Sequence, residues 1–395
     1  MMKAYQEALR TPGALRFSLA GLFGRLPASM TGLGIVLLIQ HSTGSYGLAG
    51  LVAAVYILTS AVAAPLQGRI ADQFGQRRVL FVVPAIYCLG IAGMVWAAGE
   101  PLSLTIISAI IAGTGAPQTG NMVRTRWTHN LKDRKLLSTA FAWEAILDEV
   151  VFIIGPVLVT FLTLNVAAPL GLTAAAISSL LGGWGLALQR ATAPTPVKSS
   201  ARGDDKLSLP PLISLILSAI GVGFVFGASE VLIVGFTDEL GQKDLAGWVL
   251  AVSSVGSLLA GFIVGARSAA SDPVKRLRIF TILLACSLIP LPFAATTFQM
   301  SIGMFVMGLT IAPTLITAVN LVELVTPLTR LTEALTWVTT GLSAGVALGA
   351  VVSGRIVELH SASLGFAAAA LAATLAALVA WFAPVSQAIR EPKNP

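Results

Sequence analysis

The chain has 395 residues, of which 55% are hydrophobic and only 11% charged, with a mean hydropathy of +0.85. A water-soluble domain carries roughly a quarter charged residues, so this balance excludes an ordinary globular protein and points to repeated membrane spans. The formal charge of +7 has no soluble face on which to build a nucleic-acid stripe; contact with anionic lipid headgroups is its expected use.

Apolar runs near the roughly 20 residues that cross a bilayer predict twelve spans: 16–40, 46–68, 79–98, 102–123, 138–163, 168–189, 211–236, 246–266, 278–296, 299–322, 333–354 and 363–384. An even number places both termini on one side. Every lysine and arginine except Arg25, Lys243 and Arg355 falls on that side, and the positive-inside bias identifies it as cytoplasmic. Met1 to Arg16 lacks the short apolar core and cleavage site of a removed signal peptide, so the first span is expected to remain. The expected location is the cytoplasmic (plasma, inner) membrane of the cell.

The first span carries Arg25, about 14 Å beyond Arg16 at 1.5 Å per residue. Pro27, Gly32 and Gly34 follow it and permit a bend or close helix contact. An arginine at that depth needs an internal partner, a substrate anion or a route for its head to the interface. Between the second and third spans lies Gly68-Arg69-Ile70-Ala71-Asp72-Gln73-Phe74-Gly75-Gln76-Arg77-Arg78, read as a short charged hinge.

Gly68, Asp72, Gly75, Arg77 and Arg78 resemble the signature loop between the second and third helices of the major facilitator superfamily. The resemblance implies a conformational latch formed by these five residues. It also implies a monomeric secondary transporter whose central cavity is lined chiefly by spans one, four, seven and ten.

Span four holds Gly113, Gly115, Pro117 and Gly120, with Gln118 and Asn121 as polar candidates for substrate contact. The family's usual arginine inside this helix is missing; Arg124 and Arg126 stand at its cytoplasmic end. Span five is chemically the richest, with Glu144, Asp148 and Glu149. Glu144 and Asp148, four apart, share a face, and Glu149 is turned by about 100° from Asp148. Three carboxylates at this depth must be protonated, paired or wetted, which makes them proton-coupling candidates alongside a structural charge network. Arg25 is a geometrically reasonable partner for Glu144 or Asp148. Gly155-Pro156 on the same span resembles a shortened antiporter motif and implies export.

The polar stretch 190–210 reads as a cytoplasmic linker between a first bundle, 1–189, and a second, 211–395. Trp143 and Gly155 recur at the same spacing as Trp337 and Gly349, and Pro117 matches Pro313. The expected fold is therefore an all-α integral membrane protein, with twelve transmembrane helices in two six-helix bundles related by a parallel repeat. In the second half Glu230 is a lone membrane carboxylate and a candidate for proton or substrate binding. Thr317 and Asn320 in span ten are further substrate candidates. Gly341, Gly345 and Gly349 in span eleven form a small-residue packing face.

No phosphate-binding loop, nucleophile elbow or metal-ligand spacing is present, so no enzyme, metal site or cofactor is expected. Cys88 and Cys286 are expected to be buried fillers. The resemblance points nearest to bacterial drug and sugar efflux permeases. Proton-driven export of a small organic molecule is the leading expectation; proton-coupled uptake of a sugar, amino acid or organic anion and a transport-inactive receptor or assembly protein are the alternatives.

Overall fold

The computed structural model describes residues 2–98, 101–195, 209–267, 272–326 and 330–383, with no strand among them. The helices in chain order are α1 (Met2–Leu9), α2 (Ala14–Thr43), α3 (Tyr46–Phe74), α4 (Gln76–Trp96), α5 (Leu102–Thr114), α6 (Thr119–Asn130) and α7 (Arg134–Phe161). They continue with α8 (Leu170–Leu188), α9 (Leu209–Glu239), α10 (Ala246–Arg267), α11 (Pro273–Leu288), α12 (Thr297–Val325), α13 (Leu331–Leu359) and α14 (Ala362–Phe382). Eleven helices are long and apolar enough to cross a membrane. The remaining crossing is the expected fourth span, which is not one helix but two, α5 and α6.

The break has a local cause. Pro117 lacks an amide hydrogen and disfavours helical geometry in the residue before it. At Gly115 an added Cβ would strike the backbone of Ile86 and Tyr87 in α4. Carbonyls released by the interruption still need donors in a low-dielectric setting. Gln67 of α3 supplies them, its Nε2 donating to Thr114 O at 2.9 Å and Ala116 O at 3.0 Å.

The expected hinge from Gly68 to Arg78 also differs. Gly68 and Asp72 lie on α3, Arg77 and Arg78 on α4, and the two helices meet at Gly75 alone. Gly75 has φ +87° and ψ 143°, a conformation that a side chain would strain, so one residue performs the whole turn. Of the expected linker, 196–208 lies outside the described residues, and Arg190–Thr192 form a 3₁₀ turn.

Packing divides the chain into two compact units, residues 1–44 with 58–200 and residues 45–57 with 201–395. In the first, Phe17, Leu80, Val123, Trp127 and Leu186 form a buried cluster. In the second, Leu215, Leu277, Leu321, Val322 and Val338 do so. The start of α3 counts with the second unit. There Tyr46 donates to Asp238 Oδ2 at 2.6 Å, while Glu358 accepts from Ser45 Oγ at 3.0 Å and from the Gly47 amide at 2.7 Å.

Lipid offers helices no hydrophobic drive to associate, so close backbone approach and interhelical packing must supply it. In α13, Gly341, Gly345 and Gly349 lie against Ile216, Ile220 and Phe224 of α9, whose own Gly223 and Gly227 meet Leu342 and Val346. Outward-facing side chains are correspondingly oily: Val62, Leu89, Trp96, Leu181, Leu371 and Phe382 are all exposed, as a lipid solvent allows. Cys88 is half-buried, but Cys286 is exposed, contrary to the expectation of two buried thiols.

A Cβ at position 345 would collide with the Ile220 carbonyl, which belongs to backbone and cannot rotate aside. Gly345→Ala is therefore expected to cost about 1–3 kcal/mol, the usual penalty of overpacking, read as a lower unfolding temperature of the detergent-solubilised protein. An unchanged temperature would show that α9 and α13 do not depend on this contact.

Candidate functional site

Four charged side chains converge in the first unit, from α2, α6 and α7. Arg25 forms an ion pair through Nη2 with Glu144 Oε2, and its Nη1 donates to Asp148 Oδ1 at 2.9 Å and to the Glu144 carbonyl at 3.3 Å. Arg124 of α6 reaches the other Asp148 oxygen at 2.5 Å. Because residues 144 and 148 sit one turn apart on α7, one guanidinium touches both.

The two carboxylates have different surroundings. Glu144 has 0% side-chain exposure, and its Oε1 accepts from Ser18 Oγ and from Trp127 Nε1, each at 2.7 Å. Trp143 Nε1 donates in turn to Ser18 Oγ at 3.0 Å, and the Trp127 ring stands edge-on to Phe17 at 4.7 Å. Both Glu144 oxygens thus have fixed donors. Asp148 keeps 31% side-chain exposure and Arg124 37%, so one end of the cluster is sealed and the other is accessible.

The first turn of α6 passes beside the two guanidiniums. A Cβ at Gly120 would sit 3.5 Å from Arg25 Nε and 3.6 Å from Arg124 Nη1; Arg25 Nε has no hydrogen-bond partner among the described residues. A helix N-terminus carries partial positive charge, so the start of α6 adds to the positive charge of the two guanidiniums beside it. The set is formally neutral, and removal of one negative charge would leave it positive.

Of the other expected site residues, Gln118 is the half-buried residue preceding α6 and Asn121 is exposed on its first turn. Glu149 is half-buried next to Asp148 on α7. In the same unit Gly155 of α7 faces the Ser29 side chain of α2, and Ser29 Oγ donates to Val151 O at 2.9 Å one turn before Pro156. Asp72, Arg77 and Arg78 are exposed, with Arg77 5.5 Å above the Phe81 ring.

The second unit holds the remaining candidates. Glu230 is half-buried on α9 and makes no hydrogen bond or ion pair among the described residues. Thr317 is fully buried, donating to Pro313 O at 2.6 Å and accepting from Arg276 Nε at 2.9 Å. Asn320 is half-buried one turn further along α12.

Sequence reasoning missed Ser18 and Trp127, and it placed Arg124 and Arg126 at the end of span four without a role for either. Arg126, also fully buried, donates to Gln76 Oε1 at 3.0 Å, to the Leu186 and Gln189 carbonyls at 2.9 Å, and to Thr192 Oγ1 at 3.0 Å. It thus caps the end of α8, where a cation meets the negative pole of a helix. A signal was available: residues two apart on a helix diverge by about 200°, so Arg124 and Arg126 could not both turn to the same surroundings.

The family model for the Major Facilitator Superfamily matches residues 17–233 and again 212–395. The chain belongs to the major facilitator superfamily. It is thus a multi-pass membrane protein of a transporter family. Among solved structures similar to this superfamily member are the nucleoside transporter NupG (TM-score 0.71, 14% identity, 95% of this chain and 99% of that one) and a D-xylose-proton symporter (0.70, 16%, 96% and 98%). The peptide transporter POT in complex with sulfate is also similar (0.73, 11%, 96% and 95%). At these identities the likeness carries the fold and its two-bundle architecture alone. No curated protein matches the sequence.

A buried ion pair that loses one member leaves an uncompensated charge, at a cost of about 3–5 kcal/mol, whereas joint replacement by apolar residues is often nearly neutral. Arg25→Met and Glu144→Leu are each expected to destabilise the protein by that order, and the double variant to recover most of the loss. Thermal unfolding of the four proteins completes the cycle. Additive single losses would mean that the two side chains are not energetically coupled.

Proposed function

We propose that this chain is a proton-coupled secondary transporter, exporting a small organic molecule by alternating access and working as a monomer. In this reading it lies in the cytoplasmic membrane with both termini cytoplasmic, and residues 68–78 act as the latch between states. The observation that carries the proposal is the unequal pair of carboxylates on α7. Glu144 is sealed and fixed by Arg25, Ser18 and Trp127, while Asp148 bridges two guanidiniums with part of its carboxylate accessible.

A proton on Asp148 removes the negative charge that holds Arg124 and half of what holds Arg25. The formally neutral set becomes positive, and two conformations that solvate or pair Arg124 differently then differ in stability. Such a difference is what couples proton occupancy to a conformational equilibrium. Glu149 and Glu230 are the other candidate proton sites, and Gln118 and Asn121, beside the same helix end, are the candidate solute contacts. Export rests on Gly155-Pro156, which resembles the antiporter motif. The structural likeness to a D-xylose-proton symporter keeps uptake as the second reading.

The test uses proteoliposomes with an entrapped pH dye, an inside-acid gradient and a panel of labelled organic solutes. A substrate of an exporter is expected to enter as protons leave. Asp148→Asn is expected to abolish gradient-driven accumulation while preserving exchange of labelled for unlabelled solute. Solute and protons moving in the same direction would establish uptake instead. Accumulation that survives in Asp148→Asn would remove this residue from the coupling step.

A further inference from the structure

We propose that the groove between α11 and α12 is a lipid site, holding one phospholipid acyl chain from the leaflet on the side of the α11–α12 connection. The inference is independent of the transported solute and of the charge cluster around Arg25.

The groove encloses about 710 Å³, well inside the range of roughly 300–1,000 Å³ typical of ligand sites. Phe280, Leu283, Ile302, Val306 and Leu309 supply apolar walls. Gly303 and Leu291 close one end of the groove, since a Cβ at Gly303 would strike the Leu291 side chain that already packs there. The lining hydroxyls have little to offer a polar guest. Ser287 Oγ donates to Leu284 O and Thr310 Oγ1 to Met307 O, both at 2.7 Å, so each hydrogen is already used within its own helix. Gln299 stands near the opening, its Oε1 accepting from the Ala295 amide at 2.8 Å.

Length and surroundings select the occupant. From Gln299 to Thr310, both lining the groove, α12 rises roughly 16 Å, about half of the ~30 Å hydrocarbon thickness. That is the depth of one leaflet. No charged residue lies between Arg278 and Glu323, so the α11–α12 connection lacks the charges of a water-facing turn. It displays instead Phe293 at 82% exposure and, at the start of α12, Phe298 at 74%. Aromatic side chains so exposed beside an uncharged turn mark a segment that lies in lipid. The groove continues outward into the exposed Ile302 and Val306, which places its mouth on the lipid-facing surface rather than in water. A chain entering there gives up contact only with other chains and gains the denser packing of a protein wall.

The experiment uses the full, unaltered chain in phosphatidylcholine–phosphatidylglycerol nanodiscs doped with a phosphatidylcholine that carries a mid-chain diazirine. After irradiation, adducts are mapped by peptide mass spectrometry. Adducts on Cys286, Ile302 and Val306 are expected to exceed those on the equally lipid-facing Leu371 and Leu375 of α14 by about fivefold, an occupancy bias of about 1 kcal/mol. Val306→Trp, which fills the groove from an exposed position, is expected to suppress the groove adducts and leave those on α14 unchanged. Equal yields on the two faces in the unaltered chain would reduce the site to ordinary annular lipid and overturn the proposal. So would groove labelling by a headgroup-free diazirine alkane that matched labelling by the phospholipid, because the site would then take any small apolar molecule. The measurement on the unaltered chain decides the matter even where the tryptophan variant fails to fold.

Discussion

A guanidinium inside a bundle surrounded by hydrocarbon must meet negative charge or water, and Arg25 meets Glu144 and Asp148. Much of the first unit follows from that requirement. Arg25 is on α2, its carboxylates are on α7, and the second oxygen of Glu144 is satisfied from Ser18 on α2 and Trp127 on α6. Three helices are tied by a single carboxylate. A buried pair gains little net stability over apolar packing; what it decides is rotation. Only one face of α7 carries two acids a turn apart, and that face is turned toward Arg25.

Backbone groups impose the second constraint. With no water to fall back on, each carbonyl released from a helix in the membrane needs a donor from elsewhere in the protein. The interruption at Gly115–Gln118 is tolerated because Gln67 offers one side-chain amide to two carbonyls. Arg126 provides the same service at the end of α8, gathering the carbonyls of Leu186 and Gln189. Among the described residues no carboxylate pairs with it, and its charge is balanced by oriented dipoles. Two arginines two positions apart on α6 thus do unlike things: Arg124 completes an ion-pair set that stays partly accessible, and Arg126 closes a helix end.

The solvent supplies the third. Since lipid tails are as apolar as the side chains they touch, helix contacts are set by how closely backbones approach. The reciprocal glycines of α9 and α13 allow that approach, and many large apolar residues can face outward as well as inward. The ordinary rule that the surface is polar is relaxed here, while the interior mixes large apolar side chains with small and polar ones. The α11–α12 groove is the converse case, an apolar recess opening on an apolar surroundings, with no charge along the connection that forms its rim.

Hydropathy and lysine–arginine placement were sufficient for the membrane class, the span count and the two-bundle outline, because crossing a bilayer is a requirement on local composition that each segment meets by itself. The spacing within residues 68–78 and the matches between the two halves were legible as patterns, but the confinement of the turn to Gly75 was not. Arg25, Glu144 and Asp148 could be singled out by their rarity in apolar runs, and the one-turn spacing of the acids made their pairing with Arg25 reasonable. What the sequence left open was how each acid is used. Ser18, Trp127 and Arg124 reach the cluster from other helices, Ser18 from 126 residues away, and no local pattern announces a partner on another helix. The same holds for the division of the fourth span, which hydropathy presented as one continuous crossing over 102–123. The break depends on how closely α4 approaches Gly115 and on Gln67 being within reach. Burial, pairing and exposure are properties of the packed helices. Composition determined which groups needed partners, and only the tertiary structure decided which partners they found.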